Sequence, residues 1–150
     1  MQALAPDLMP RLRARLATSP AISQLALELS ELEPDFCVMR LPYRTALTNG
    51  SGTVHGGVLA TLADTAVAFA LSTNFDGKMG FATADLTIHF LSRARSDVWA
   101  RAHILKKGRR VNVGDVEMLD AGGRAVARAL ATFVLTTSSF DYAPEKKSNE

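Results

Sequence analysis

The chain has 150 residues, 47% hydrophobic and 21% charged, with a formal net charge of +2. That is the composition of one ordinary soluble globular domain, long enough to bury roughly 70% of the surface its unfolded form exposes. So small a charge is too weak to imply nucleic acid, the lone Cys37 excludes an internal disulfide, and histidines 55, 89 and 103 lack zinc-ligand spacing. A reducing, cytoplasmic compartment fits this inventory.

Residues 1–20 carry Arg11, Arg13 and Arg15 but no apolar secretory core, so they form no secretion signal. Leu8, Met9, Leu12 and Leu16 recur at helical spacing. A short amphipathic helix belonging to the domain is the plainer reading, and a transit peptide is the alternative. Leu25, Leu27 and Leu29 then alternate with Ala26, Glu28 and Ser30 at strand period. Glu33-Pro34-Asp35 turns the chain into a second strand over 36–43, making a hairpin. Residues 45–52 form a polar loop.

From Val58 to Phe75 the only charge is Asp64. The run predicts a helix beginning at Val54 or Gly57, ending at Thr73 and buried on nearly all sides. It is marginal in length for a bilayer and holds an acid near its middle, so a membrane span is a poor reading.

The remainder reads as strand. Ala84, Leu86, Ile88 and Phe90 alternate with polar residues, and so do Val98, Ala100, Ala102 and Ile104. Residues 106–110 turn into a strand over 111–119. Asp120-Ala121-Gly122-Gly123 is a hairpin turn before the last strand, 124–136. The charged residues 143–150 are expected to be a disordered tail. No repeat or linker divides the chain, so 1–150 reads as a single α+β domain: an antiparallel sheet of five to six strands wrapped around one long helix. Alanines 60, 63, 66, 68 and 70 slim that helix for close wrapping.

An ionised carboxylate in such a helix costs several kcal/mol unless something compensates it, so Asp64 is either paired or kept for chemistry. His55-Gly56-Gly57 lies at the helix start, where unpaired N–H groups and the positive end of the dipole attract a carbonyl or oxyanion. The bland alternative is a tightly packed helix entry. Gly50-x-Gly52 lacks the rest of a phosphate-binding loop.

Gly57 and Asp64 lie two turns apart on one face, roughly 10 Å along the axis. An N–H donor must lie about 3 Å from the oxygen it holds, and a carboxylate attacking that group must be equally near. One straight helix does not allow this. Two antiparallel copies do, so cooperation between the two groups requires at least a dimer.

The arrangement Asn49-x5-His55-Gly56-Gly57-x6-Asp64-Thr65 resembles the hotdog-fold acyl-CoA thioesterases, in particular the PaaI-like branch of the 4-hydroxybenzoyl-CoA thioesterase superfamily. The likeness extends from about Leu25 to Leu135. It implies that Asp64 is the catalytic carboxylate, as nucleophile or general base. It further implies that the Gly57 N–H polarises the thioester oxygen, with Gly56 in the binding segment and His55 and Asn49 positioning carbonyl or water. Thr83 falls where family members carry a Ser or Thr that assists the acid. Strand parity, however, puts Thr83 with Asp85, Thr87 and His89, away from the apolar face, unless the strand starts irregularly.

Lys106, Lys107, Arg109 and Arg110 concentrate four cations in one turn. They are a solvated tip or, on the resemblance, a clamp for the phosphates of coenzyme A, with Arg93 and Arg95 as weaker candidates. His89, His103, Cys37, Trp99 and Phe133 read as structural. The expected activity is thioester hydrolysis of an acyl-CoA, with no cofactor beyond the coenzyme A of the substrate. The homo-oligomer is a dimer or tetramer, with neither nucleic acid nor membrane as partner. The competing reading is a non-catalytic acyl-CoA- or acyl-carrier-binding module on the same fold. An enoyl-CoA hydratase on that fold uses a helix-loop pattern not seen here. Nothing in the sequence selects the acyl group.

Overall fold

The computed structural model describes residues 3–136, so the predicted tail lies outside the described residues. Helix α1, Leu8–Thr18, buries Leu8, Leu12 and Leu16, the stripe its spacing predicts. Arg11 and Arg15 tie it to the loop after the long helix, donating to the carbonyls of Asp76 and Gly77 at 2.9 Å each. A single turn, α2, Pro20–Ser23, follows.

The strands are β1, Glu28–Glu33; β2, Phe36–Leu41; β3, Phe81–Phe90; β4, Val98–Lys107; β5, Val111–Asp120; and β6, Ala125–Leu135. Helix α3, Gly56–Ser72, separates β2 from β3. All six strands pair antiparallel in the order β1-β2-β4-β5-β6-β3, in agreement with the expected antiparallel sheet of five to six strands. Among the described residues no helix is long and apolar enough to cross a bilayer.

Several boundaries differ from expectation; β2, for one, ends at Leu41 rather than Tyr43. The first strand begins at Glu28 rather than Leu25, because the amides of Leu25 and Ala26 close a turn onto α2 and Ala26 has φ 52°. Lys106 and Lys107 belong to β4, which narrows the basic turn to Gly108, Arg109 and Arg110.

The core lies between α3 and the sheet face bearing Cys37, Met39 and Leu41, Ala100 and Ala102, Val116 and Met118, and Ala127, Ala131 and Phe133. Small side chains set the spacing. A Cβ on Gly114 would fall 2.6 Å from Val67 Cγ1, so a glycine is needed where β5 crosses the helix. Cys37 donates to the Ala66 carbonyl at 3.1 Å, and burial pushes its thiol up to about 12.

The helix is less enclosed than its sequence predicts. Gly57 is exposed, and Thr61, Asp64 and Ala68 are half-buried, at steps of four, three and four residues. These positions make one stripe that the sheet does not cover, because the sheet ends at β3.

The two sheet edges are unlike. At β1, Arg13 donates twice to the Leu29 carbonyl, at 3.1 and 3.0 Å, and the ladder is broken between Leu29 and Glu31. Both devices blunt an edge. At the other edge, β3 is ten residues long and mostly exposed, and among the described residues it hydrogen-bonds as a strand only to β6.

Candidate active site

His55 is the N-cap of α3. Its Nδ1 accepts the Gly57 N–H at 2.9 Å, so the capping ring carries its proton on Nε2. The amides of Val58 and Leu59 reach the His55 carbonyl at 2.9 and 3.2 Å. Of the first four helix amides, only that of Gly56 makes no hydrogen bond among the described residues. The sequence reading names Gly57 as the polarising donor; in the structure the Gly57 amide meets the His55 ring, and the amide without a hydrogen bond among the described residues is that of Gly56. Glycine at 56 also has a packing cause, since a Cβ there would stand 3.1 Å from the Phe90 ring.

Asn49 heads the loop before the helix. Its Oδ1 accepts from the Ser51 amide (2.9 Å), the Ser51 hydroxyl (2.7 Å) and the Thr53 amide (3.3 Å). The side-chain carbonyl is thus committed to the loop, and the NH2 group is the part left to meet a ligand. Tyr43 fixes the same loop through a 2.7 Å hydrogen bond from its hydroxyl to the Gly52 carbonyl. Asn49 and Gly56 share one cleft of about 300 Å³, with Arg93 also in its wall.

Asp64 lies eight residues beyond Gly56, about 12 Å along the helix. No lysine or arginine pairs with it among the described residues. Its Oδ1 instead accepts the Thr83 hydroxyl at 2.7 Å. The parity expectation for Thr83 fails because β3 carries a bulge at Ala84. Thr83 stands opposite Phe133, yet Asp85 stands opposite Thr132 and Leu86 opposite Ala131. Opposed residues share a face, and Phe133 and Ala131 face the helix, so one extra residue turns Thr83 inward while leaving Leu86 inward too.

The basic turn divides. Lys107 is bound to Asp35 at 2.8 Å, with Asn74 on the other Asp35 oxygen at 2.7 Å. Burial opposes ionisation of Asp35, but these two partners outweigh it and hold the carboxyl below its ordinary range. Lys106, Arg109 and Arg110 are exposed. Gly108 makes the tight turn, since a Cβ there would meet the Val111 carbonyl oxygen at 2.4 Å. This turn lies at the Thr83 end of the sheet, as Lys107, Asn112, Phe133 and Thr83 form one cross-strand row. Arg93 is therefore the basic residue that accompanies Asn49 and Gly56, and Arg95 does not line that cleft.

Sequence reasoning passed over Phe90. Its signal is visible afterwards: it is the last apolar residue of the helix-facing alternation in β3, yet it is 54% exposed.

The pattern defining the "Thioesterase superfamily" matches residues 51–127, just over half of the chain. Acyl-coenzyme A thioesterase PaaI of Escherichia coli is 31% identical over 105 residues, covering 69% of this chain and 73% of that protein. A protein of Halobacterium salinarum named as an esterase is 36% identical over 94 residues, covering 59% of this chain and 62% of that one. The solved structure of E. coli PaaI superposes with a TM-score of 0.80 at 22% identity, covering 91% of this chain and 98% of that chain.

Proposed function

Because this chain belongs to the thioesterase superfamily, we propose that it hydrolyses an acyl-CoA thioester to a free acid and coenzyme A, at a site completed by a second copy of itself. The observation carrying this reading is the separation on α3. The open Gly56 amide and the uncompensated Asp64 carboxylate are both unspent, and about 12 Å divides them within one chain. Two antiparallel α3 helices, brought together by pairing of the bare β3 edges, put each donor beside the other protomer's acid.

In that arrangement the Gly56 N–H and the Asn49 side-chain NH2 hold the thioester oxygen and take up the negative charge that develops on it. His55 occupies the Gly57 amide and fixes the helix start. Asp64 of the second protomer acts in one of two ways. As a nucleophile its oxygen bonds to the carbonyl carbon, the C–S bond breaks to release the thiolate, and water then cleaves the mixed anhydride. As a base it takes a proton from water, whose oxygen attacks the same carbon, after which the C–S bond breaks and the thiolate leaves. Thr83 holds Oδ1 in either case and leaves Oδ2 to react. Lys106, Arg109 and Arg110 of the protomer supplying Asp64 are placed to meet the phosphates of coenzyme A.

The deciding experiment is an acyl-CoA panel with a reagent that reports free thiol. Cys37, the sole cysteine, is fully buried and adds no background. Turnover that falls on the order of 10²–10⁴-fold in Asp64→Asn supports the hydrolase. Binding of acyl-CoA without turnover in the native protein supports the non-catalytic module instead.

A further inference from the structure

We propose that Asn112 is a positioning residue for coenzyme A: its side chain sets the shape of the turn 108–110, so that Arg109 and Arg110 stand ready for the nucleotide phosphates. This rests on the function proposed above and adds a residue which that reading does not use.

Asn112 lies on the core face of β5, in line with Gly114, Val116 and Met118, and is 1% exposed. Burying an amide there is costly unless each of its polar atoms finds a partner. Only one does. Oδ1 accepts the Gly108 N–H at 3.2 Å, while Nδ2 is buried and has no partner among the described residues. The other buried polar residues described, Thr65 and Ser72, spend their hydroxyls on carbonyls of their own helix, at 2.7 and 2.9 Å. An apolar side chain at 112 would leave no donor orphaned, so stability does not account for the asparagine.

What the amide does is local. Strands β4 and β5 pair from Val98 opposite Asp120 to Lys107 opposite Asn112, so the hairpin is closed without it. The Gly108 N–H lies one residue beyond that ladder, at the tight bend where a Cβ would meet the Val111 carbonyl oxygen. At the far side of the turn, the Leu135 N–H donates to the Arg110 carbonyl at 2.9 Å. The backbone carrying Arg109 and Arg110 is therefore anchored at both ends, by Asn112 and by β6. Neither arginine has an ion-pair partner among the described residues. Two cations on an ordered turn lose less entropy in meeting a phosphate than two on a free loop.

The test compares Asn112→Val with the native protein on an acyl-CoA and on the matching acyl-pantetheine, which lacks the nucleotide. Asn112→Val should raise KM for the acyl-CoA about three- to tenfold, the worth of one or two exposed ion pairs, with kcat unchanged. KM for the acyl-pantetheine should not move, and the melting temperature should hold or rise. Gly108→Ala strains the same turn without touching the core, and should reproduce the KM effect. In a chain already carrying Arg109→Ala and Arg110→Ala, Asn112→Val should add nothing, because it acts through those two side chains. A fall in kcat, an equal rise of KM for both thioesters, or a further rise in the doubly substituted background would give Asn112 a general structural role and overturn the proposal. So would an unchanged KM for the acyl-CoA in both Asn112→Val and Gly108→Ala.

Calorimetry with coenzyme A itself separates this inference from the hydrolase reading. A dissociation constant that Asn112→Val raises about three- to tenfold upholds the positioning role even in a protein that hydrolyses nothing. Turnover of acyl-CoA, with coenzyme A bound equally by the native protein and Asn112→Val, keeps the hydrolase and overturns the role. Absence of any coenzyme A binding overturns the role as well.

Discussion

The Thr83 hydroxyl donates to Asp64 Oδ1 at 2.7 Å from a strand whose alternation, counted from Leu86, points Thr83 away from the helix. The extra residue at Ala84 reconciles the two. Among the described residues Asp64 has one neutral donor on Oδ1 and no cation, so Oδ2 is not tied up in a salt bridge. Thr83 supplies that donor, and its part is open to measurement.

Replacing Thr83 by Val removes a hydrogen bond to a charged group, an interaction of about 1.5–3 kcal/mol. Expressed in the rate, Thr83→Val should lower kcat by roughly 10–100-fold with little change in KM. Thr83→Ser keeps the donor and should recover most of the loss. Equal activity in all three proteins would show that the contact has no part in the chemistry.

The proposed shared site makes a prediction for mixtures. Gly56→Pro deletes the open amide at the first helical position, where proline is tolerated, and should cost on the order of 10²–10³ in kcat. Gly56→Ala introduces a similar Cβ but keeps the N–H, and should lose less. Inactive Gly56→Pro and Asp64→Asn chains, mixed one to one after dissociation, should recover about a quarter of native activity, the share of intact sites in random two-fold dimers. No recovery would place both groups of each site on one chain.

His55 is predicted to matter more for stability than for rate. Loss of an N-cap costs about 1 kcal/mol, so His55→Ala should lower the melting temperature by a few degrees. Its kcat should fall less than that of Gly56→Pro. A drop as large as the Gly56→Pro effect, with melting unchanged, would instead put the imidazole in contact with the reacting carbonyl.

For the basic turn, Arg109→Ala and Arg110→Ala should raise KM with kcat nearly intact, and added salt should raise the native KM in the same direction. Lys107→Ala should act through stability, because its partner is Asp35. An unchanged KM in both arginine variants, combined with indifference to salt, would make the turn a solvated tip.

Acid stability tests the latch between α1 and the loop after α3. Lys78, and after it Arg11, hold the Asp76 carboxyl below its ordinary range. A carboxyl depressed in the fold adds stability above its unfolded value, about 3.9, and gives it up as pH falls through the lower folded value. Asp76→Asn should therefore melt below the native protein from neutral pH down to about pH 4, and the two curves should converge in stronger acid. Asparagine tolerates the positive φ of 51° at this position, so the comparison isolates charge. A gap that persists at the lowest pH would assign the effect to shape.

Much of this architecture is legible in the chain because periodicity reports burial. The α1 stripe, the β3–β6 alternations and the extent of α3 follow from where leucines, valines and alanines recur. The first strand was misplaced at Leu25 because alternation of leucines does not register that Ala26 adopts a left-handed turn. Thr83 was ambiguous because a bulge adds a residue without any compositional mark. Which of the two amides, Gly56 or Gly57, stays without a hydrogen bond is beyond sequence as well. Both are glycines at a helix start, and only the rotamer of His55 decides which amide remains open. Residues 143–150 fall outside the described chain.

The unlike margins of the sheet bear on how large an assembly strand pairing could build from this chain. Joining two copies along β3 uses up both receptive borders, and the resulting twelve-stranded ribbon ends at each extremity in a β1 sealed by Arg13. Growth by strand addition then halts after a single step, so a third molecule must attach through some other surface. Pairing of this kind would terminate itself and would keep a long bare strand off the route to fibres.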